Sequence, residues 1–202
     1  MPAAVFLRWG SLLLLSVTLL ACTSGSGMEV LDDLDDTSYT LLNQDSTAVT
    51  FPDDYEGETL VVGYIYTMCP DICPMTTSNM KTVRDQLETR EDVRFLTVTF
   101  DPKRDTPKRL REYRAAYNLD NTRWEFLTGD STTINRLMER VGVRHRVVTP
   151  DGRPASPDTL DSYFVDHTDQ LNILDADGRI RGEYSGSRTP PKYIIEDINK
   201  LR

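Results

Sequence analysis

The run Leu60-Val61-Val62-Gly63-Tyr64-Ile65-Tyr66-Thr67-Met68-Cys69-Pro70-Asp71-Ile72-Cys73-Pro74 constrains this chain more than any other stretch. Its first half has no 3.6-residue repeat and is rich in β-branched and aromatic residues. It therefore reads as a strand buried on both faces, of the kind found in parallel sheets covered by helices. Pro74 lacks an N–H and fits the first helical position, while the residue before a proline avoids helical angles. Cys73 is thus expected to cap a helix, with residues 69–73 forming a turn. Thr76, Met80, Val83 and Leu87 then fall on one helical face. Both sulfurs would sit over the positive end of that helix, where unpaired N–H groups and the peptide dipole favour thiolates. Two such thiolates can close a disulfide or hold a soft metal.

The amino terminus bears on compartment. Arg8 precedes the apolar run Leu12 to Leu20, and Leu19-Leu20-Ala21-Cys22 resembles a bacterial lipoprotein signal, which implies cleavage before Cys22 and acylation of that cysteine. An uncleaved membrane helix is the competing reading, but the segment is short for spanning. Residues 1–21 are expected to be the signal peptide and 22–38 an acidic flexible tether. Residues 39–202 would form one domain in the cell envelope, on the periplasmic side, anchored to the membrane by lipid. The net charge is −9, one unit more negative once Arg8 is removed, which argues against nucleic acid as a partner. With Cys22 lipidated, Cys69 and Cys73 are the remaining cysteines, in an oxidising compartment. A purely structural bridge would close so short a loop that it restrains the unfolded chain little.

Downstream, Tyr39–Leu42 and Ala48–Phe51 flank turn residues and suggest a hairpin ahead of the main sheet. Val93–Phe100 reads as a second core strand ended by Asp101-Pro102. A right-handed crossover would bring Asp101 and the cysteines to the same edge of a parallel sheet. Leu110, Tyr113 and Tyr117 give the next helix its apolar face. Trp124–Thr128 reads as a strand, and Asp130 or Ser131 can cap a helix burying Ile134, Leu137, Met138 and Val141. Residues 144–162 look like a long exposed loop, with His145 at the surface between Arg144 and Arg146. Tyr163–Thr168 leads into Gln170–Leu174, Asp177-Gly178 turns into Arg179–Tyr184, and Pro190-Pro191 opens a closing helix. This element order is that of a thioredoxin-like α/β fold: a central mixed sheet flanked by helices, with an added N-terminal β-hairpin.

Four blocks resemble the Sco (SenC) proteins, copper-binding assembly factors for cytochrome c oxidase. They are Tyr66 to Pro74, Asp101-Pro102-Lys103-Arg104-Asp105-Thr106-Pro107, Trp124 with Leu127-Thr128-Gly129, and Val165-Asp166-His167 before Leu174-Asp175 and Gly178. The resemblance implies that Cys69, Cys73 and His167 bind one copper ion, Cu(I) or Cu(II), for delivery to the copper-site subunit of the oxidase. Thioredoxin-like enzymes place a proline facing the dithiol where this chain carries Asp166-His167-Thr168. Two thiolates and an imidazole suit Cu(I), whereas a closed structural zinc site takes four ligands. Asp101 and Asp166 can orient His167 or polarise the thiols from behind. Met75 and Asn172 depart from the family pattern without removing a ligand.

Two other activities compete with copper delivery. Cys69 and Cys73 can act as a redox dithiol that reduces the oxidase cysteines, itself served by a thioredoxin-like reductant. Peroxide reduction would need an arginine beside one reactive cysteine, a part for which Arg104 is the candidate.

Overall fold

The computed structural model describes residues 27–34, 36–120, 123–156 and 163–201. The signal segment, Cys22 and the start of the tether lie outside the described residues, and no helix among the described residues is long and apolar enough to cross a membrane. The centre is strand β4 (Thr59–Ile65), buried along its whole length as its apolar run requires. It pairs in parallel with β5 (Val93–Thr99), which pairs in parallel with β6 (Trp124–Thr128). On the other side β4 meets β9 (Leu171–Leu174) antiparallel, followed by β10 (Arg179–Tyr184). Asn172 is fully buried in β9, where its side chain accepts from Gln170 Nε2 at 3.0 Å and donates to the Gly182 carbonyl at 3.4 Å.

The N-terminal hairpin, β2 (Tyr39–Asn43) and β3 (Ala48–Phe51), forms as expected but is part of the main sheet. β2 pairs with β6, so the hairpin extends that edge. The sheet has eight strands in the order β1-β10-β9-β4-β5-β6-β2-β3. Its first strand corrects the expected tether: β1 (Asp32–Asp33) pairs with β10, and Leu34 is fully buried. The acidic run is held because Arg140 takes the Asp32 carboxylate and the edge of β10 offers free backbone groups.

Period-two alternation sends Leu60, Val62 and Tyr64 to one face of the sheet and Val61 to the other. The Val61 face is covered by α1 (Ile72–Gln86), α2 (Pro107–Ala116) and α4 (Pro191–Ile198), through Met80, Val83, Leu110, Ile194 and Ile198. The opposite face receives α3 (Ser131–Arg140) through Ile134, Leu137 and Met138. Asp130 caps α3 by accepting from Thr132 and Thr133 N–H, and Thr106 caps α2 with Pro107 as its first residue.

The stretch expected to be an exposed loop holds β7 (His145–Val148), which pairs antiparallel with β8 (Phe164–His167) in a separate two-stranded ribbon. Residues 157–162 of that stretch lie outside the described residues. His145 stands directly opposite His167 in this ladder and is half-buried against Phe100, not a free surface residue.

Candidate metal centre

The cysteines sit where β4 hands over to α1. The helix begins at Ile72, two residues earlier than the proline rule suggests, so Asp71 is its N-cap and Cys73 lies inside the first turn. Pro74 is tolerated because first-turn N–H groups have no helical partner. Burial of Cys73, 1% exposed, outweighs the bias against helical angles before a proline. Cys69 remains in the turn, half-buried, and its sulfur accepts from the Cys73 N–H at 3.4 Å. Both cysteines are free thiols.

Behind the turn stands Asp105, fully buried, accepting from Thr67 N–H at 2.9 Å, from the Thr67 hydroxyl, and from Thr99 Oγ1 at 2.6 Å. Burial pushes its carboxyl up despite these hydrogen bonds. Asp105 therefore fixes the turn before Cys69 to the end of β5.

His167 arrives from the end of β8. Its Nδ1 lies 2.9 Å from the Thr168 carbonyl, which can only accept, so Nδ1 carries a proton and Nε2 faces the sulfurs. Nε2 is 3.7 Å from Cys73 Sγ. The ligand atoms of Cys69, Cys73 and His167 all lie within 4.8 Å of one another, a group able to hold a metal ion. The imidazole is seated by aromatic rings, with its centroid 4.7 Å from Phe100 and 5.8 Å from Tyr66 in an edge-on arrangement.

The two thiols are unequal. A hydrogen bond from the Cys73 thiol, aided by His167 and by the N–H groups of Cys73 and Asp71, lowers the Cys69 pKa against the effect of burial. The same hydrogen bond to Cys69, together with burial, pushes Cys73 up. Burial disfavours the His167 imidazolium, yet the Cys69 sulfur and the Thr168 carbonyl lift its pKa above the ordinary value. The lowered thiol is therefore Cys69, chiefly through its neighbour Cys73 rather than through the helix end, while Cys73 itself is raised.

The other residues singled out from sequence have different contacts. Asp101 shares the sheet edge but is turned to Arg104 and to the Tyr163 hydroxyl, at 2.7 Å from the latter. Asp166 is exposed and paired with Arg146 at 2.8 Å. Arg104 donates to the Tyr163 carbonyl at 2.8 Å and lies over the Tyr163 ring at 3.6 Å, so Asp101 and Tyr163 hold the guanidinium that peroxide chemistry would need. The carboxylate built into the junction is Asp169, which bonds Thr76 of α1 at 3.4 Å and Ser187 N–H at 3.0 Å. Spacing in the sequence gives no sign of that junction, which exists only through tertiary packing.

The family model described as SCO1/SenC matches residues 31–202. The SCO1 protein homolog of Bacillus subtilis (strain 168) is 29% identical over 186 residues, covering 90% of this chain and 91% of that protein. A SCO1/SenC family lipoprotein from Bacillus anthracis shares the fold at a TM-score of 0.69 and 27% identity, over 84% of this chain and 95% of that one. BsSco, described as a member of the Sco family of cytochrome c oxidase assembly proteins and as carrying a disulfide switch, matches at a TM-score of 0.67 and 26% identity, over 86% and 96% of the two chains. The family match starts just before β1, the strand that redraws the domain boundary, and runs through both cysteines and His167: the chain belongs to the SCO1/SenC family.

Proposed function

We propose that this protein is a membrane-tethered copper chaperone, in which reduced Cys69 and Cys73 with His167 hold one copper ion and pass it to the dinuclear copper site of cytochrome c oxidase. The observation that carries the reading is the convergence of two sulfurs and one imidazole nitrogen within 4.8 Å. This donor set fits copper, since thiolates and imidazole are soft or borderline and their number allows trigonal Cu(I). Cys69 and His167 are both partly exposed, so an incoming thiolate has a path to the ion. Membership of the family, and the description of BsSco as belonging to cytochrome c oxidase assembly proteins, support the oxidase as recipient. The lipoprotein signal at Leu19 to Cys22, with a lipoprotein among the structural relatives, supports an anchor through Cys22 on the extracytoplasmic side.

Copper titration of the reduced protein tests this, beside Cys69→Ser, Cys73→Ser and His167→Ala. One ion per reduced chain is expected, with affinity collapsing in each variant. Copper affinity surviving in His167→Ala overturns the three-ligand site.

The inequality of the thiols favours a second reading, thiol-disulfide exchange. The Cys69 thiolate would attack a partner disulfide, releasing one partner thiolate and forming a mixed disulfide. Cys73 would then lose its proton and displace the second partner sulfur, leaving a Cys69–Cys73 disulfide and a reduced partner. His167→Ala separates the readings, because exchange does not need the imidazole as a ligand.

A further inference from the structure

The edge of the sheet that carries the cysteines is cationic, on a chain whose net charge is −9. Lys103, Lys108 and Arg109 are exposed on the loop and first turn that follow β5. This segment is tied to the cysteine turn, since Asp105 holds Thr67 and Arg109 Nε donates to Thr67 Oγ1 at 3.4 Å. On the other side of the site a cleft of about 480 Å³ is lined by Arg144, His145, Arg146, Asp166, His167 and Thr168. Among the carboxylates of this edge Asp101 and Asp105 are buried, Asp166 neutralises Arg146 and Asp71 is exposed in the cysteine turn, so the cations offered to a partner are chiefly Lys108, Arg109 and Arg144.

Apolar side chains stand at the same rim. Met68 and Met75 bracket the cysteines in sequence and are 47% and 50% exposed. Methionine is flexible and polarisable, suited to a partner that must arrive and leave. An apolar rim beside a reactive site marks an interaction surface.

Resting on the copper-transfer reading, we infer that this rim docks the acceptor protein through a segment whose cysteine donors lie among apolar residues and are flanked by aspartate or glutamate. The net charge alone would select a basic partner. At physiological salt, however, charges more than about 8 Å away are screened, so the cations beside the site decide the encounter. The apolar rim covers the flanks of the acceptor cysteines, and Arg144 on one side with Lys108 and Arg109 on the other receives its carboxylates.

The test uses two synthetic peptides with the same cysteine pair, one flanked by glutamates and the other by lysines, as acceptors of Cu(I) from the copper-loaded protein. At low salt the acidic peptide should take copper about tenfold faster, the scale of electrostatic steering, and the preference should vanish at high salt. Lys108→Glu with Arg144→Glu, which keeps all three ligands and should load copper normally, should reverse the preference. Equal rates for the two peptides, or a faster basic peptide with the unmodified protein, overturn the docking surface and leave copper transfer standing. Failure of the loaded protein to release copper to either peptide overturns both.

Discussion

Asp169 is the place where the two ligand-bearing elements are joined, and replacing it with alanine should loosen the site from behind. Its carboxylate accepts from Thr76 Oγ1 at 3.4 Å, from Ser187 N–H at 3.0 Å, from Ser187 Oγ at 2.7 Å, and from the Ser185 hydroxyl. Thr76 lies one turn beyond Cys73 on α1, and Asp169 lies two residues beyond His167. A Cβ at Gly186 would come within 2.6 Å of Thr76 Cγ2 and 3.2 Å of Asp169 Oδ1, so the junction closes with no spare volume. Hydrogen bonds to a charged group contribute about 1.5–3 kcal/mol each, but water reaches this half-buried cluster and replaces part of what is lost. A net loss of about 2–3 kcal/mol is expected for Asp169→Ala at neutral pH. Burial works against the carboxylate, yet the serine and threonine hydrogen bonds hold its pKa below the ordinary value. Its contribution is therefore present above the unfolded carboxylate pKa, near 4, and is lost as pH falls through the depressed folded value. Urea unfolding at pH 7 and at pH 3 should show a gap between variant and parent that narrows in acid. Copper affinity, measured by competition with a Cu(I) chelator, should fall about tenfold, the lower end for removing a group that orients a ligand. An unfolding free energy within about 0.5 kcal/mol of the parent at pH 7 refutes the junction, since that is the range of an ordinary surface substitution. A destabilised variant with unchanged copper affinity refutes its role in holding His167.

Two further outcomes follow from the geometry. Because the Cys73 thiol and His167 hold the Cys69 pKa below that of an ordinary thiol, alkylation of the reduced, metal-free protein should modify Cys69 ahead of Cys73 and already well below pH 8, with Cys73 left protonated. Peptide mapping that shows a steep rise toward pH 8 at Cys69, as for an ordinary thiol, refutes the assignment. Gly63→Ala would drive a Cβ into Met80 Sδ, with Thr76 Cγ2 at 3.8 Å, where α1 packs on β4. Overpacking of this kind costs about 1–3 kcal/mol, and chemical denaturation showing no loss would mean that the helix has room to shift.

What the sequence carries most clearly is local. The buried run of β4, the prolines after it and the apolar face of α1 place a dithiol at a helix start without reference to any distant residue. The helix starts two residues earlier than the prolines indicate because packing of the Cys73 side chain, a tertiary effect, competes with proline sterics. β7 was missed for a related reason. Arg144-His145-Arg146 reads as polar loop, and the strand exists because its backbone finds β8 across the segment between them. β1 is a stronger case, since paired aspartates make poor strand residues and are held by the edge of β10 and by Arg140. Cys73 and His167 are 94 positions apart, and no periodicity links them. Once β4 and β5 are assigned as parallel neighbours, the crossover rule brings their carboxyl ends together, and that made the Asp101 edge legible. It does not say where a carboxylate will point. Asp101 is satisfied by Arg104 and Tyr163, while the contact that joins the histidine segment to the cysteine helix falls to Asp169, whose partners come from α1 and from the residues just after β10. The ligands can thus be found from residue type and strand order, whereas the groups that hold them in place depend on the side-chain register between elements. Substitutions at Asp169 and Gly63 probe that register directly, without removing a donor atom.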